Sequence, residues 1–175
     1  PCAVCVGLEP ERFWLSVATM EPRKNHRQLL DAYARLRRGG LASMPLVLAG
    51  GQGWLMENFH RVIREFNLGS DVILTGYLND DELQWLYANC FAFVFPSLFE
   101  GFGLPVLEAM TLGAPVICSN RTSLPEIAGE AAVLIDPLVP EELAAAMHQL
   151  ETGGISRAAL QAAGRERAGM FSWRQ

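Results

Sequence analysis

The sequence lacks a long apolar run, a basic excess and a cysteine framework, and each absence excludes a class of protein. No apolar stretch approaches the roughly 20 residues that cross a bilayer, so we expect no transmembrane helix. The first residues also lack the basic start and apolar stretch of a secretory signal. Lysine and arginine number 14 against 19 acidic residues, and the net charge of −5 argues against a nucleic-acid partner. We therefore expect a cytoplasmic protein.

The few cysteines and histidines form no pattern typical of a metal site or a catalytic pair. Cys2 and Cys5 have the spacing of a metal or redox pair, but no second such pair follows, so we interpret them as incidental thiols. Cys90 and Cys118 lie in apolar segments and are predicted to be buried. The sequence contains no GxSxG elbow, so a hydrolase is not indicated. No metal site is expected from the three widely separated histidines, His26, His60 and His148.

What the sequence does contain is a regular alternation of two patterns. Short β-branched or aromatic runs alternate with segments that have helical periodicity, and 50% of the residues are apolar. This order predicts an α/β, Rossmann-like domain with a parallel six-stranded sheet and helices on both faces. We interpret residues 1–11 as a linker or strand remnant and residues 12–175 as the domain. The strands are predicted at residues 13–18, 45–49, 72–75, 91–95, 116–119 and 132–135.

Capping residues indicate where several helices begin. Asn25 is expected to cap the first helix, and Asn79 with Glu82 resembles a capping box. Pro105 and Pro140 suit the first turns of two further helices. A last helix is expected over residues 156–168.

In open parallel sheets, ligands bind beyond the carboxyl ends of the strands, so we expect binding residues in the loops that follow the strands. Arg23 and Lys24 follow the first predicted strand at the start of a helix, where the macrodipole disfavours cations. A planar guanidinium and a point charge would together suit a diphosphate. The alternative interpretation is a pair of solvated surface cations.

A second unusual loop follows the fourth predicted strand and carries two carboxylates around two glycines. Gly101 and Gly103 would expose backbone N–H groups to an oxyanion. Glu108, expected in the first turn of the next helix, suits a ribose diol, and Glu100 could hold other hydroxyls. Alternatively, Glu108 serves the helix dipole and Glu100 is a loop charge. Position 106 is Val, so an NAD fingerprint is poorly supported.

A third loop, at residues 50–54, is rich in glycine but lacks the GK[ST] ending of a P-loop. The simplest interpretation of this loop is a tight turn between a strand and a helix.

The segment PSLFEGFGLPVLEAM at residues 96–110 is the most specific in the chain, and it contains Glu100 and Glu108 in E-x7-E spacing. Residues 21–25, 76–78, 113–117 and 171–173 add supporting matches. Together they resemble the group 1 family of retaining, nucleotide-sugar-dependent glycosyltransferases of the GT-B fold. The resemblance is to the C-terminal, donor-binding domain and extends over residues 13–173.

The resemblance implies a role for each matching residue. Arg23 and Lys24 would bind the donor diphosphate, Glu108 the ribose hydroxyls and Glu100 the transferred sugar. Ala18-Thr19 stands where many relatives have glycine and a small or basic residue, and Thr19 would approach the phosphate. The backbone that holds sugar and phosphate would be that of Gly101, Phe102, Gly103 and Leu104, and the residues beside the base would be Gly76, Tyr77 and Leu78.

The resemblance also implies a substrate and a partner domain. The chain has no DxD, which fits a metal-independent enzyme without a cofactor. The EPRKN form of residues 21–25, with residues 51–54, is most similar to a mannosyltransferase branch and indicates GDP-mannose, with UDP- and ADP-sugars as alternatives.

We expect transfer of a hexose, with retention, to a glycan or lipid-linked acceptor. That acceptor would be held by an N-terminal domain outside this chain, and the whole protein would work in the cytoplasm or at the inner face of the membrane. The 175 residues alone are expected to transfer poorly. The rival interpretations are a non-catalytic nucleotide-binding module and an NAD-dependent oxidoreductase.

Overall fold

The computed structural model describes residues 7–40, 44–51 and 56–171. Cys2, Cys5, most of the glycine-rich loop at 50–54 and the match at 172–173 lie outside these residues. Within them, six parallel strands form one sheet in the order β3-β2-β1-β4-β5-β6. The α/β, Rossmann-like prediction is therefore confirmed. The strands are β1 Trp14–Val17, β2 Leu46–Ala49, β3 Val72–Gly76, β4 Ala92–Phe95, β5 Val116–Ser119 and β6 Val133–Ile135.

Helices connect the strands, and one of them was not expected from the sequence. The short helix α5 has five residues, too few for a periodic apolar pattern to be visible. A 3-10 turn over Pro22–Lys24 precedes the first α-helix. The helices are α1 His26–Arg38, α2 Met56–Glu65, α3 Asp80–Asn89, α4 Leu104–Thr111, α5 Leu124–Ala128, α6 Pro140–Glu151 and α7 Arg157–Gly169.

Two apolar clusters cover the two faces of the sheet. In β4, Phe93 and Phe95 belong to one cluster, while Ala92 and Val94 belong to the other. Such a strand is buried on both sides, as its continuous apolar run predicts. Helices α3, α4 and α7 pack on the first face and α1, α2 and α6 on the second. The prediction of helices on both faces is confirmed.

The two predicted caps differ in their side-chain contacts. Asn79 accepts from the backbone N–H of Glu82, whose side chain accepts from that of Asn79, so the capping box is confirmed. Asn25 is the N-cap residue of α1, as predicted, but its side chain does not cap the helix. Its backbone is left-handed, with φ of 61°, and its side chain donates instead to the carbonyls of Pro96 at 3.1 Å and Pro137 at 2.7 Å. Asn25 therefore joins three loops.

The sheet has a topological switch point between β1 and β4. The chain moves outward through β1, β2 and β3, then returns to β4 on the other side of β1. Ligands of open α/β sheets bind at the carboxyl ends of the central strands beside such a switch point. Here the loops that leave β1 and β4 touch, since the backbone N–H of Leu98 donates to the carbonyl of Arg23 at 2.8 Å.

In the described part of the chain, no helix is both long enough and apolar enough to cross a membrane.

Candidate functional site

Three of the residues singled out in the sequence meet at the switch point. The Lys24 ammonium lies 2.6 Å from Oε1 of Glu100, and Nη1 of Arg23 lies 3.3 Å from both carboxylate oxygens. Lys24 and Glu100 are buried, whereas the Arg23 side chain is 46% exposed. We call Arg23, Lys24 and Glu100 the switch-point cluster. Both cations lie in the 3-10 turn directly before α1, at the start of the helix as expected.

The end of β4 makes the burial of these charges tolerable. A buried charge must be paired and hydrogen-bonded, because its hydration is lost. The Phe95 ring lies 4.9 Å from the Lys24 ammonium, in cation–π contact. The hydroxyl of Ser97 donates to Oε1 of Glu100 at 2.6 Å. Lys24 and Ser97 therefore fix the orientation of the Glu100 carboxylate.

The two oxygens of Glu100 differ in what they still can accept. Oε1 accepts from Lys24 and Ser97, with Arg23 as a longer contact. Within the described chain, Oε2 has a recorded contact only with Arg23, at 3.3 Å. A carboxylate offers about four acceptor positions. Oε2 can therefore accept a further hydroxyl.

The glycine loop leads directly into α4. Gly103 has a φ of 109°, and a Cβ there would lie 2.6 Å from a methyl carbon of Leu124, so glycine is required. Among the described residues, no side chain caps α4. Its first-turn N–H groups carry the positive end of the helix dipole and are suited to an anion. Gly101 and Phe102 are exposed beside them.

The prediction that Glu108 lies in the first turn of its helix is wrong. Gly103 is the N-cap, so α4 begins at Leu104 and Glu108 falls in the second turn. Oε2 of Glu108 accepts a hydrogen bond from the hydroxyl of buried Tyr87 at 3.2 Å. Burial, and then the charge of Glu108, raise the pKa of Tyr87 well above its ordinary value. Tyr87 therefore stays a donor to Glu108 at neutral pH.

Glu108 lines a groove that the switch-point cluster does not reach. This groove, with a volume of about 790 Å³, runs between α3, α4 and the end of α7. Leu83 and Tyr87 form one wall, Leu104 and Leu107 another, and Phe171 lies at the α7 end. The predicted site residues thus fall in two places, and the N-terminus of α4 joins them.

The remaining predicted residues lie at the ends of β1 and β3 or in the loops that follow them. Tyr77 is 86% exposed after β3, and Leu78 packs against the core. Gly76 has a φ of 70° and accepts from the N–H of Gly50 at 3.1 Å. Thr19 is exposed, and its carbonyl accepts from the N–H of Glu21 at 2.7 Å. None of these four has a recorded hydrogen bond to the switch-point cluster within the described chain.

Several residues at the site are not predicted by the sequence pattern. Ser97 stands three residues before Glu100, a spacing that could have suggested their contact. Thr122 and Ser123, in the loop after β5, hydrogen-bond to the Glu100 backbone and have no local signal. His26 is buried beside Lys24. Burial and then the Lys24 charge lower the pKa of His26 to about 4.

Metal ligands are also sparse. Over the described ranges, no group of three or more His, Cys, Asp or Glu side chains is placed to hold a metal ion. Metal independence stays a prediction.

With this geometry established, comparison with known proteins identifies the family. The family described as "Glycosyl transferases group 1" matches residues 7–167. The chain therefore belongs to the group 1 glycosyl transferases, and the expected membership of this family is confirmed.

Relatives and solved structures agree with this assignment. The chain is 41% identical over 159 residues to O-antigen chain mannosyltransferase B of Escherichia coli, covering 91% of this chain and 42% of the relative. It is 40% identical over 166 residues to the serotype-specific mannosyltransferase WbdA of the same species, covering 94% of this chain and 20% of the relative. The chain thus spans less than half the length of these curated relatives.

Among solved structures, sucrose-phosphate synthase from Thermosynechococcus elongatus superposes with a TM-score of 0.84 at 26% identity. The superposition covers 97% of this chain and 44% of the synthase.

Proposed function

We propose that this domain binds the nucleotide-sugar donor of a mannosyltransferase, with GDP-mannose as the donor. The observation that carries the proposal is the switch-point cluster, in which two cations and a carboxylate meet beyond the carboxyl ends of β1 and β4. The names of the relatives, both mannosyltransferases, support mannose as the sugar. A UDP- or ADP-sugar is the alternative donor.

The donor diphosphate would lie against Arg23 and the N-terminus of α4. Arg23 is half-exposed and its Nε pairs with Glu21 at 2.8 Å, so Nη1 is the atom that can turn to an incoming phosphate, giving up its 3.3 Å contact with Glu100. A charge-assisted, bidentate contact to phosphate is shorter and stronger than that one. Lys24 would stay buried against Glu100 and add its positive charge. As the sugar departs, these charges would stabilise the negative charge that develops on the diphosphate.

Glu100 would bind the hydroxyls of the transferred sugar. Lys24 and Ser97 hold Oε1, which leaves Oε2 as the acceptor for a sugar hydroxyl. A fixed carboxylate positions the anomeric carbon, because orientation of the reacting groups lowers the barrier to transfer.

The nucleoside would occupy the part of the groove that lies between α3 and α4. Glu108 is exposed there, and Tyr87 fixes one of its oxygens, so the other can accept from the ribose diol. The loop of Gly76, Tyr77 and Leu78 precedes α3 and would border the base. Tyr77 is free to pack against it, since it is 86% exposed.

We further propose that the whole protein transfers the hexose with retention, to a glycan or lipid-linked acceptor held by an N-terminal domain. Closure of the two domains would exclude water from the transfer. A lipid-linked acceptor would bring the protein to the inner face of the membrane.

Calorimetric titration of the chain with GDP tests the diphosphate contact. Arg23→Met should weaken GDP binding about tenfold to a hundredfold, since a charged hydrogen bond contributes ~1.5–3 kcal/mol. Arg27→Met is the matched control, because Arg27 is an exposed α1 arginine paired with Glu65. Equal affinity of GDP for the Arg23→Met variant and the wild type would refute the placement of the diphosphate.

A further inference from the structure

The backbone of Glu100 is held on both sides by one loop. Its N–H donates to Oγ1 of Thr122 at 3.1 Å, and its carbonyl accepts from the hydroxyl of Ser123 at 3.1 Å. Both hydroxyls come from the segment between β5 and α5, 22 and 23 residues further along the chain. The peptide groups that flank the Glu100 Cα thus depend on side chains, where most buried peptide groups depend on other backbone.

Thr122 adopts an unfavourable backbone conformation to make its contact. Its φ is +55°, in the left-handed region, where a β-branched residue is uncommon and strained. Strain of this kind persists where the surrounding structure requires it and clusters at ligand sites. Glycine would remove the strain but also the hydroxyl that accepts from Glu100.

Ser123 gives up a local interaction for the same contact. It is the N-cap residue of α5, a position where serine usually accepts from the helix backbone. Here it has helical φ and ψ, and its side chain accepts from no N–H of α5. Its hydroxyl donates to the Glu100 carbonyl instead. Two adjacent residues thus depart from their local preferences, and both contact Glu100.

We propose that Thr122 and Ser123 are positioning residues that hold Glu100 for sugar recognition, an inference that rests on the proposed function. Lys24 and Ser97 fix the Glu100 side chain at Oε1, and Thr122 and Ser123 fix its backbone N–H and carbonyl. With both ends of the residue held, Oε2 has one position beyond the carboxyl end of β4. A binding constellation tolerates displacements of only about 0.5 Å.

The test compares the affinities of GDP-mannose and GDP for variants at position 122. Thr122→Val keeps the shape but removes the acceptor, so GDP-mannose should bind about threefold to tenfold more weakly. GDP lacks the sugar, and its affinity should change less than about twofold, within the spread of a surface substitution. Thr122→Ser should restore the affinity for GDP-mannose. Ser123→Ala should act like Thr122→Val.

Thr152→Val is the matched control. The Thr152 hydroxyl also makes one hydrogen bond, to the carbonyl of His148, at the exposed end of α6. This variant should keep both affinities. A fold defect at Thr122 would weaken both ligands together, and that result would overturn the positioning role.

Glu100→Gln separates the inference from the proposed function. If wild type binds neither ligand, or if Glu100→Gln leaves the ratio of the two affinities unchanged, the proposed function is wrong and the inference fails with it. If Glu100→Gln changes the ratio while Thr122→Val and Ser123→Ala do not, only the inference is overturned.

Discussion

At the scale of single residues, the site depends on charges that have little access to water. Lys24 and Glu100 are each about 9% exposed as side chains and lie 2.6 Å apart. A buried pair of this kind adds little to stability compared with an apolar pair, but removal of one partner leaves an uncompensated buried charge. The pair is therefore better explained by its place in the proposed donor site than by a contribution to folding.

Removal of the Lys24 charge should destabilise the fold strongly. Lys24→Met should lower the free energy of unfolding by about 3–5 kcal/mol, because Glu100 stays buried without its main partner. Lys24→Met combined with Glu100→Gln should recover part of that loss, and urea denaturation of the single and double variants measures the coupling. Additive losses in the double variant would contradict a coupled pair.

His26 should make stability depend on pH. Its pKa is about 4 in the folded protein against the usual 6.5, so between these values the unfolded chain binds the extra proton. The free energy of unfolding is therefore unaffected by His26 protonation above pH 6.5, and it falls by about 1.4 kcal/mol per pH unit as the pH drops from 6.5 toward 4. Urea denaturation from pH 7 to 4.5 should show this slope in wild type.

Two variants assign the slope. His26→Gln should reduce it, whereas His60→Gln, which changes an exposed histidine on α2, should leave it as in wild type. An unchanged slope in His26→Gln would mean that other groups cause the acid sensitivity.

At the scale of the elements, residue type predicted the start of a helix and its cap well only where the capping residue has its hydrogen-bond partner nearby in the sequence. Asn79 and Glu82 bond within one helical turn, so their capping box is visible in the sequence. Asn25 has the same residue type before a helix, but its partners are carbonyls 71 and 112 residues away. Glu108 was misplaced by one turn, because Gly103 in the left-handed region starts α4 at Leu104.

Substitutions of the two asparagines should separate these roles. Asn25→Gly keeps the left-handed conformation but removes two buried donors, so it should cost about 2 kcal/mol of unfolding free energy. Asn79→Gly should cost only a few tenths of a kcal/mol, because glycine is tolerated at an N-cap. Urea denaturation measures both. A cost for Asn25→Gly no larger than that for Asn79→Gly would refute the view that Asn25 joins the loops.

At the scale of the whole molecule, the fold could be predicted and the completed site could not. Alternating strand and helix patterns require a parallel sheet, and they located all six strands to within one residue of the observed ends. The switch point depends on the strand order, which no local pattern records. Arg23, Lys24 and Glu100 could be singled out by their residue types, and the structure shows that they meet. Thr122 and Ser123 were missed, since hydroxyl residues in loops are common and their partner is distant.

Ligand binding should stabilise the whole domain. A nucleotide sugar at about 100 times its dissociation constant adds ~2.7 kcal/mol, which corresponds to a rise in Tm of about 5–10 °C at this size. Thermal unfolding with GDP-mannose, GDP, UDP, ADP and NAD in parallel ranks the nucleotides. GDP-mannose is expected to give the largest rise. A larger rise with NAD would refute the transferase proposal in favour of an oxidoreductase.

The hydrogen bonds that complete the site also set the order in which it can appear during synthesis. On a translating ribosome, Arg23 and Lys24 emerge first and remain without Glu100 for 76 further residues. The backbone hydrogen bonds of Glu100 can form only after Thr122 and Ser123 have also been synthesised. Because domains fold as their chain becomes available, a nascent chain that ends before residue 123 should not discriminate GDP-mannose from GDP. The chain length at which GDP-mannose first binds more tightly than GDP would therefore report when the proposed site is complete during co-translational folding.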